Sequence, residues 1–545
     1  MSEFPGWTEY QPTDEDHQGV YPLGLEAVGS YIVGHYLLPG ITDATRHIRY
    51  YSFFSWVFWT FFQELRRQGR TTYKRDEFFN WLVRLENVLR AATLDTDRKF
   101  IGLIGRSKAL TLEDAKNGKL RIDQEVAASG FVPAAYSASF AALHCGQYNG
   151  KRAHLTPRGE ALGLAFNAQF AGQNGKADVL RPVLSKSSHI SVKTIKDIED
   201  EIRIRPVSPD ENEHPLLMDM LLSIASEPDG NENELHLARS RTLGLILEMI
   251  DYGNGTIAEP DDFHRIFACG RLKGHPKFSP SSEFARECEI WKRYQERQFQ
   301  KLGLYGLWHE ILDFLSTRPR QTAPTSEIVT HMLTHYERSS FLKSWVGESS
   351  LSKSVAKADR NILDHVGDHS KLGAAAWSVN EHLHSAASVA DRVGSSVVLL
   401  LMAPHFWSDS PNDLPHRQLH NLGGRTRLCL SIFADDVHSR QNDTMAQFLF
   451  WVIESCVLAQ SSRIALDKLA RGDFRFFVMR DESGYRLIKA QDRKQSLSFD
   501  ASRLFGAISL LRSLCLIRED EGLRLTSSGR NTLKKLRIRH EATAT

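Results

Sequence analysis

The stretch from Ile41 to Gly69 contains a dense group of aromatic residues. Nine of the thirteen residues at positions 50–62 are aromatic. They do not keep to one face of a 3.6-residue helical wheel, so much of this helix must be shielded from water. The run is shorter than the about 20 apolar residues that cross a bilayer. It predicts a central core helix wrapped by other helices, with Thr42 or Asp43 as N-cap and Gly69 at its end.

An exposed aromatic helix would instead be a base-stacking platform or a lipid contact. Arg46, His47 and Arg49 directly precede the aromatic residues, and charge beside aromatic rings can bind single-stranded nucleic acid. Aromatic rings that encircle a helix are used up by packing, however. We therefore expect Phe53 and Trp56 to be nearly inaccessible to solvent.

The remaining apolar pattern predicts a chain that is mostly helical. Residues 21–39 are apolar enough to dock on the aromatic helix. Apolar residues at helical spacing predict helices at 74–92, 235–252, 281–315, 325–336, 350–363, 372–393, 395–406 and 444–470. A strand is expected at 428–433, and a strand–turn–strand at 474–488 around Ser483 and Gly484.

One short pattern occurs near both ends of the chain. Residues 155–159 and 525–529 both read L-T-x-x-G, and each copy follows a helix, a short apolar strand and a polar turn. This order resembles the last third of a bacterial winged-helix domain, in which a recognition helix is followed by a strand, a wing, a returning strand and a capped helix. The resemblance implies a winged-helix unit near each end, with Thr156 and Thr526 as N-caps.

The C-terminal copy contains the candidate DNA-binding residues. Its recognition helix is predicted at 500–514, with Leu504, Ile508, Leu511 and Leu514 facing the core and Ser502, Arg503, Ser509, Arg512 and Ser513 facing out. Exposed arginine and serine can contact phosphates and base edges. The predicted DNA-binding set is Arg503, Arg512, Arg524, Arg530, Lys534, Lys535 and Arg537. The alternative is that residues 534–540 are only a solvated terminal helix.

The N-terminal copy differs in charge. Its candidate helix at 131–143 has no lysine or arginine, and only Lys151, Arg152 and Arg158 flank it. A helix this apolar is expected to pack on protein, in its own chain or in a partner.

Composition narrows the class of protein. A chain of 545 residues is too long for a single hydrophobic core. Its hydrophobic content of 41% and charged content of 25% are ordinary for globular proteins. A net charge of +2 gives no protein-wide attraction for nucleic acid or membrane. The six cysteines are far apart, which indicates a reducing cytoplasm and excludes the common zinc modules. No signal peptide or membrane span is expected, and the predicted location is cytoplasmic.

The sequence offers few candidate catalytic or metal-binding residues. The densest cluster of histidine and aspartate is His405, Asp409, Asp413, His416 and His420, followed by Asp435, Asp436 and His438. Its spacing matches no metal-binding motif. Phosphate-binding loops and nucleophile motifs are absent as well. We therefore predict no catalytic residue, metal or cofactor, and an enzyme is the less favoured class.

The predicted fold is mainly α and multi-domain, with two winged-helix-like α+β units, divided as 1–185, 186–407 and 408–545. The stretch from Leu38 to Trp59 resembles accessory proteins encoded beside ATPase and nuclease genes in bacterial defence clusters. That resemblance implies a non-enzymatic DNA-binding or scaffold subunit of an antiviral complex. Its expected partners are separately encoded ATPase or nuclease subunits and double-stranded DNA held through phosphates. The alternatives are a stand-alone winged-helix transcription regulator, and a metal-dependent nuclease or hydrolase using residues 405–438.

Overall fold

The structure is a computed structural model. It describes residues 21–106, 109–123, 132–148, 153–171, 187–224, 233–408, 419, 421–424, 428–470, 476–491, 493, 497–500 and 502–544. Of these described residues, 66% are in helices and 7% in strands. The predicted mainly α fold class is therefore confirmed.

The first half of the chain forms helices joined by short strands. Its helices are α1 (Glu26–Ile32), α2 (Arg49–Arg67), α3 (Arg75–Thr96), α4 (Val132–Ala142), α5 (Pro157–Ala171), α6 (Val192–Asp197), α7 (Glu199–Ile202), α8 (Glu213–Leu222), α9 (Asn233–Gly253) and α10 (Pro260–Cys269). Its strands are β1 (Lys119–Arg121), β2 (Gly146–Tyr148), β3 (Ala153–Leu155) and β4 (His189–Ser191).

The second half begins with a long helix and ends with a helix–hairpin–helix segment. Its helices are α11 (Ala285–Ser316), α12 (Thr325–Arg338), α13 (Ser340–Val346), α14 (Val355–Val366), α15 (Leu372–Ser385), α16 (Val389–Ser408), α17 (Leu430–Ser439), α18 (Met445–Trp451), α19 (Gln460–Ala470), α20 (Leu504–Ser513) and α21 (Ser527–Ala544). Its strands are β5 (Thr322–Ala323), β6 (Val478–Asp481), β7 (Gly484–Leu487), β8 (Ile517–Glu519) and β9 (Leu523–Leu525).

These elements form two compact units, each built from segments that are not consecutive in sequence. Unit 1 contains the described parts of residues 1–33, 261–279 and 288–502, and unit 2 contains those of 34–260, 280–287 and 503–545. The units cut across the three consecutive domains predicted at 1–185, 186–407 and 408–545. Both copies of the L-T-x-x-G pattern therefore lie in unit 2.

The aromatic helix α2 is the centre of the core of unit 2. Phe53 and Trp56 are 0% and 1% exposed, which confirms the predicted central helix. The Trp56 ring stacks on Phe170 with centroids 5.4 Å apart, and its Nε1 donates to Asn167 Oδ1 at 3.1 Å. Rings of α2 also pack edge-to-face against rings of α3, α4 and α5.

The beginning of α2 differs from the prediction. The helix starts at Arg49 and not at Thr42 or Asp43. The amide of Thr42 donates to Thr45 Oγ1 at 3.0 Å, and this hydroxyl donates back to the Thr42 carbonyl oxygen at 2.7 Å. These reciprocal bonds form a separate turn before the helix. Gly69, at φ +68°, follows the last turn of the helix as expected.

The two copies of the repeated pattern have matching local structure. The Gly159 amide donates to Thr156 Oγ1 at 3.2 Å, and the Gly529 amide donates to Thr526 Oγ1 at 3.0 Å. Both predicted N-caps are therefore confirmed. A Cβ at either glycine would lie within 2.0 Å of a carbonyl oxygen, so only glycine lets the capped helix pack this closely on its hairpin.

The core of unit 1 is built around α11 and α16. The hairpin expected at 474–488 is confirmed as β6 and β7, and β5 pairs with the other edge of β7. The strand expected at 428–433 is wrong, because this segment enters α17. Leu430, Phe433, Ala434 and Val437 are buried there at helical spacing.

Two segments of unit 1 are long and apolar enough to cross a membrane, although the sequence analysis expected none. They are Val389–Trp407 and Met445–Ala470, whose most apolar windows are 67% and 50% buried, respectively. Core helices of soluble proteins have the same length and composition, so this finding by itself assigns no location.

Candidate functional site

The predicted recognition helix is largely covered by its own chain. It is the helix α20, which begins at Leu504 instead of residue 500. Ser502, Ser509 and Ser513 were expected to face out, but all three are buried. This part of the prediction is wrong, because local helical spacing does not show what packs on the second face of a helix.

Three contacts within unit 2 lie on that second face or at the C-terminal end of the helix. A Cβ at Gly506 would lie 2.5 Å from the carbonyl oxygen of Thr42. The Val207 amide donates to the Ser513 carbonyl oxygen at 2.8 Å, and His214 Nε2 lies 3.2 Å from the Leu514 carbonyl oxygen. A helix held on this side by backbone contacts cannot place the same side in a DNA groove.

The two arginines of this predicted helix have different surroundings. Arg503 Nη1 donates to the Ile41 carbonyl oxygen at 2.8 Å, and its guanidinium lies against Gly34. Arg512 is exposed and forms an ion pair with Glu519. Arg503 therefore has a structural contact, whereas Arg512 remains at the surface.

Three other predicted DNA-binding arginines lie against α9 and the turn that follows it. Arg530 Nε is 3.7 Å from Asp251 Oδ1, and Arg537 forms an ion pair with Glu248. Arg524 Nη1 donates to Asn254 Oδ1 at 3.4 Å. These contacts partly neutralise the arginines but leave the side chains of Arg530 and Arg537 61% and 44% exposed.

The outer side of α21 carries the remaining predicted lysines. We use the name "α21 face" for Arg530, Lys534, Lys535, Arg537 and Ile538, which are all exposed and recur at helical spacing. In the part of the chain that the structure describes, neither lysine forms an ion pair. The structure thus places the cationic surface on the terminal helix and not on α20.

The corresponding N-terminal helix is buried. Tyr136, Phe140 and Leu143, on and just after α4, are all 0% exposed, and the Tyr136 and Phe140 rings pack on α2. Packing on protein, as predicted, is confirmed. Arg158 donates to the Leu143 carbonyl oxygen at 3.2 Å and faces Asp219, while Lys151 and Arg152 lie outside the described residues.

The cluster of histidine and aspartate is described only in part. Asp409, Asp413, His416 and His420 lie outside the described residues. His405 Nε2 lies 2.6 Å from Asp359 Oδ1, a partner that the sequence did not indicate. Asp435, Asp436 and His438 are on α17. Over the described ranges, no three histidine, cysteine or carboxylate side chains converge as a metal site would require.

A cavity in unit 1 brings together polar side chains that the sequence analysis did not identify. Its volume is about 360 Å³, and it is lined by Ala268, Lys292, Gln295, Glu296, Phe299, His369, Ser370, Leu372, Gly373 and Phe406. We call it the α11 cavity. Its lining comes from four separate segments of the sequence, so no local motif marks it.

A second feature missed by the sequence analysis is a group of exposed apolar side chains in unit 1. Leu466 and Leu469 on α19 are 65% and 44% exposed. Met479 on β6 and Ile488 after β7 are 37% and 46% exposed. We call these four residues the "apolar surface", because the backbones of α19 and β6, which hold three of them, lie against each other.

Comparison of the chain with protein-family models, with curated proteins and with solved structures finds no match in any of the three. The function proposed for the chain therefore rests on the surfaces of its two units.

Proposed function

We propose that this chain is a non-enzymatic scaffold subunit of a bacterial multi-protein complex in antiviral defence. The observation that carries the proposal is the apolar surface of unit 1. Large apolar side chains that are exposed singly need no explanation, but a group of them is typical of a protein-binding site. A scaffold needs such a site, because burial of apolar area is the main source of affinity between proteins.

The strand beside this surface adds a way to bind a partner. Among the described strands, β6 pairs only with β7, so one of its edges has no neighbouring strand. Met479 alternates with the buried Val478 and therefore stands on the open side of the sheet. An edge strand with an exposed apolar side chain can add a strand from another protein.

The partner class follows from the resemblance of Leu38 to Trp59 to accessory proteins of defence clusters. That resemblance supports a separately encoded ATPase or nuclease subunit as the protein bound at the apolar surface. The chain would then position this partner and would carry out no chemistry itself.

Affinity purification of the tagged chain from its native host tests the proposal. The variant Leu466→Glu with Leu469→Glu places two charges on the apolar surface and should lose the copurifying partner. Leu164→Glu is the matched control, because Leu164 is 51% exposed on a helix of unit 2. A partner retained equally by both variants would contradict the proposed surface.

A second candidate function is binding of double-stranded DNA through the α21 face. Exposed cations along a helix attract phosphates without reading sequence. The face contains Lys534 and Lys535, which have no ion-pair partner in the described ranges, beside Arg530 and Arg537. The covering of α20 disfavours the alternative of a stand-alone winged-helix regulator, which needs a free recognition helix.

Fluorescence anisotropy with a duplex at several salt concentrations tests this second candidate. Binding should weaken steeply with salt and depend little on sequence. Undetectable binding at low salt would remove the DNA candidate and leave the scaffold proposal unaffected.

A further inference from the structure

The α11 cavity contains a buried hydrogen-bond donor that lacks an acceptor. Gln295 lines the cavity and is 1% exposed. Its Oε1 is occupied, since it lies 2.9 Å from His264 Nδ1. Its Nε2 has no hydrogen-bond partner in the described part of the chain. Leaving a buried amide N–H unpaired is unfavourable, so a residue in this state marks a place where a ligand acceptor would bind.

The charges around the cavity favour an anionic ligand. Glu296 is a lining carboxylate that accepts hydrogen bonds from Arg293 Nη1 at 2.9 and 3.1 Å, and Arg293 also forms an ion pair with Glu289. Lys292 also lines the cavity, is exposed, and forms no ion pair in the described ranges. The lining therefore presents one ammonium group without an ion pair in the described ranges, whereas its one carboxylate is held by an arginine.

The other lining residues supply further polar groups and an apolar wall. Ser370 offers a hydroxyl, and His369 a ring nitrogen. Phe299 and Phe406 stack on each other with centroids 5.9 Å apart, and Leu372 extends this apolar side. A volume of about 360 Å³ lies in the range of small-molecule sites, which combine apolar walls with a few placed polar groups.

We propose that the α11 cavity binds a small organic anion, a phosphate or carboxylate attached to an apolar body. The anionic oxygens accept from Lys292 Nζ, Gln295 Nε2 and the Ser370 hydroxyl, and the apolar body lies against Phe299, Phe406 and Leu372. This site is independent of the scaffold and DNA proposals, because it uses neither the apolar surface nor the α21 face.

Isothermal titration calorimetry of the full chain tests the site with four probes. Phenyl phosphate and benzoate carry both an anion and an apolar body, inorganic phosphate has only the anion, and benzyl alcohol has only the body. One of the first two should bind with a stoichiometry of one per chain and more tightly than the last two. Which of them binds more tightly decides between phosphate and carboxylate as the natural head group.

Three variants locate the binding. Lys292→Met removes an exposed ammonium group and should weaken binding by about tenfold or more, the size expected for a charged hydrogen bond. Lys343→Met is the matched control, because Lys343 is also exposed on a helix of unit 1 but is not part of the lining. Gln295→Glu keeps an oxygen for His264 but replaces the amide donor by a carboxylate, so it should also weaken binding.

Two results would contradict the proposed site. Absence of binding by all four probes would remove the site. Equal affinities of the Lys292→Met and Lys343→Met variants would place any binding elsewhere. If Gln295→Glu fails to fold, as judged by circular dichroism, the comparison of the two lysine variants decides the outcome alone.

Discussion

Arg49 Nε donates to Glu213 Oε1 at 2.9 Å, and both side chains are completely buried in unit 2. Glu213 also accepts from Gln169 Nε2 at 2.8 Å and from the Ser52 hydroxyl, while Arg49 Nη2 donates to the Glu201 carbonyl oxygen at 2.7 Å. Burial lowers the pKa of Arg49 from its usual range, and the charge of Glu213 opposes this change. Arg49 is thus a core residue, and its buried side chain is inaccessible to a nucleic acid.

The first prediction concerns this buried ion pair. Glu213→Gln should lower the free energy of unfolding by about 3–5 kcal/mol, because it leaves a buried guanidinium without its counter-charge. The matched control is Glu113→Gln, which breaks the exposed pair of Arg98 and Glu113 and should cost less than about 1 kcal/mol. Urea unfolding compares the two variants. Equal losses would contradict the assigned role of the buried pair.

The second prediction concerns the aromatic core. Trp56→Ala should destabilise the protein by about 3–5 kcal/mol, because it leaves a cavity beside Phe166 and Phe170 and removes the bond to Asn167. Trp59→Ala, at a partly exposed position of the same helix, should cost clearly less. Thermal or urea unfolding measures both, and a larger loss for Trp59→Ala would show that the packing of α2 is described wrongly.

The aromatic helix and the repeated helix caps could be predicted because their signals are local. Aromatic rings on all sides of α2 require burial, whatever they pack against. A threonine followed three residues later by glycine brings hydroxyl and amide together within a single turn, as at Thr156 and Gly159. The hairpin of β6 and β7 likewise follows from the residues of its own turn.

The wrong predictions concern residues whose surroundings are formed by segments distant in sequence. Asp500 was placed at the start of the recognition helix, but it forms a buried ion pair with Lys301 and accepts from Gln298 Nε2 at 2.9 Å. These partners lie about 200 residues away in sequence. The hydrogen bond from the Val207 amide to the Ser513 carbonyl oxygen likewise joins two segments that are distant in sequence. A single sequence shows the periodicity of a helix but not which segments pack against it. For the same reason, no sequence pattern indicated the α11 cavity or the apolar surface.

The third prediction concerns pH and His264. Burial lowers the pKa of this imidazole to about 4, whereas an unfolded histidine has a pKa of about 6.5. Between these values the unfolded chain binds more protons, so stability from this group is present above about pH 6.5 and is lost as the pH falls toward about 4. Lowering the pH from about 7 to about 5 should cost about 2 kcal/mol through His264.

The variant His264→Gln should remove this part of the pH dependence. The exposed His438 provides the control, because His438→Gln should leave the difference between the two pH values unchanged. Urea unfolding of the parent protein and of both variants at the two pH values gives the six free energies of unfolding required. A pH dependence that is the same in His264→Gln and in the parent protein would show that the buried imidazole is not responsible.

The fourth prediction concerns the salt dependence of DNA binding. Lys534→Ala with Lys535→Ala removes two phosphate contacts and should reduce the slope of log affinity against log salt by about 1.8, since each contact contributes about 0.9. Arg512→Ala should leave the slope nearly unchanged, because Glu519 already neutralises that arginine. Arg503→Ala should act on stability, because Arg503 holds the Ile41 carbonyl oxygen. An unchanged slope in the double lysine variant would place the DNA contact outside the α21 face.

We expect a protein partner to cover the apolar surface of unit 1. Hydrogen–deuterium exchange of the chain alone and of the complex purified from its native host tests it most directly. Exchange should be slower in the complex at residues 460–470 and 476–488, around Leu466, Leu469, Met479 and Ile488, because a bound partner shields these amides from water. Unchanged exchange at both segments, with protection confined to other parts of the chain, would contradict it.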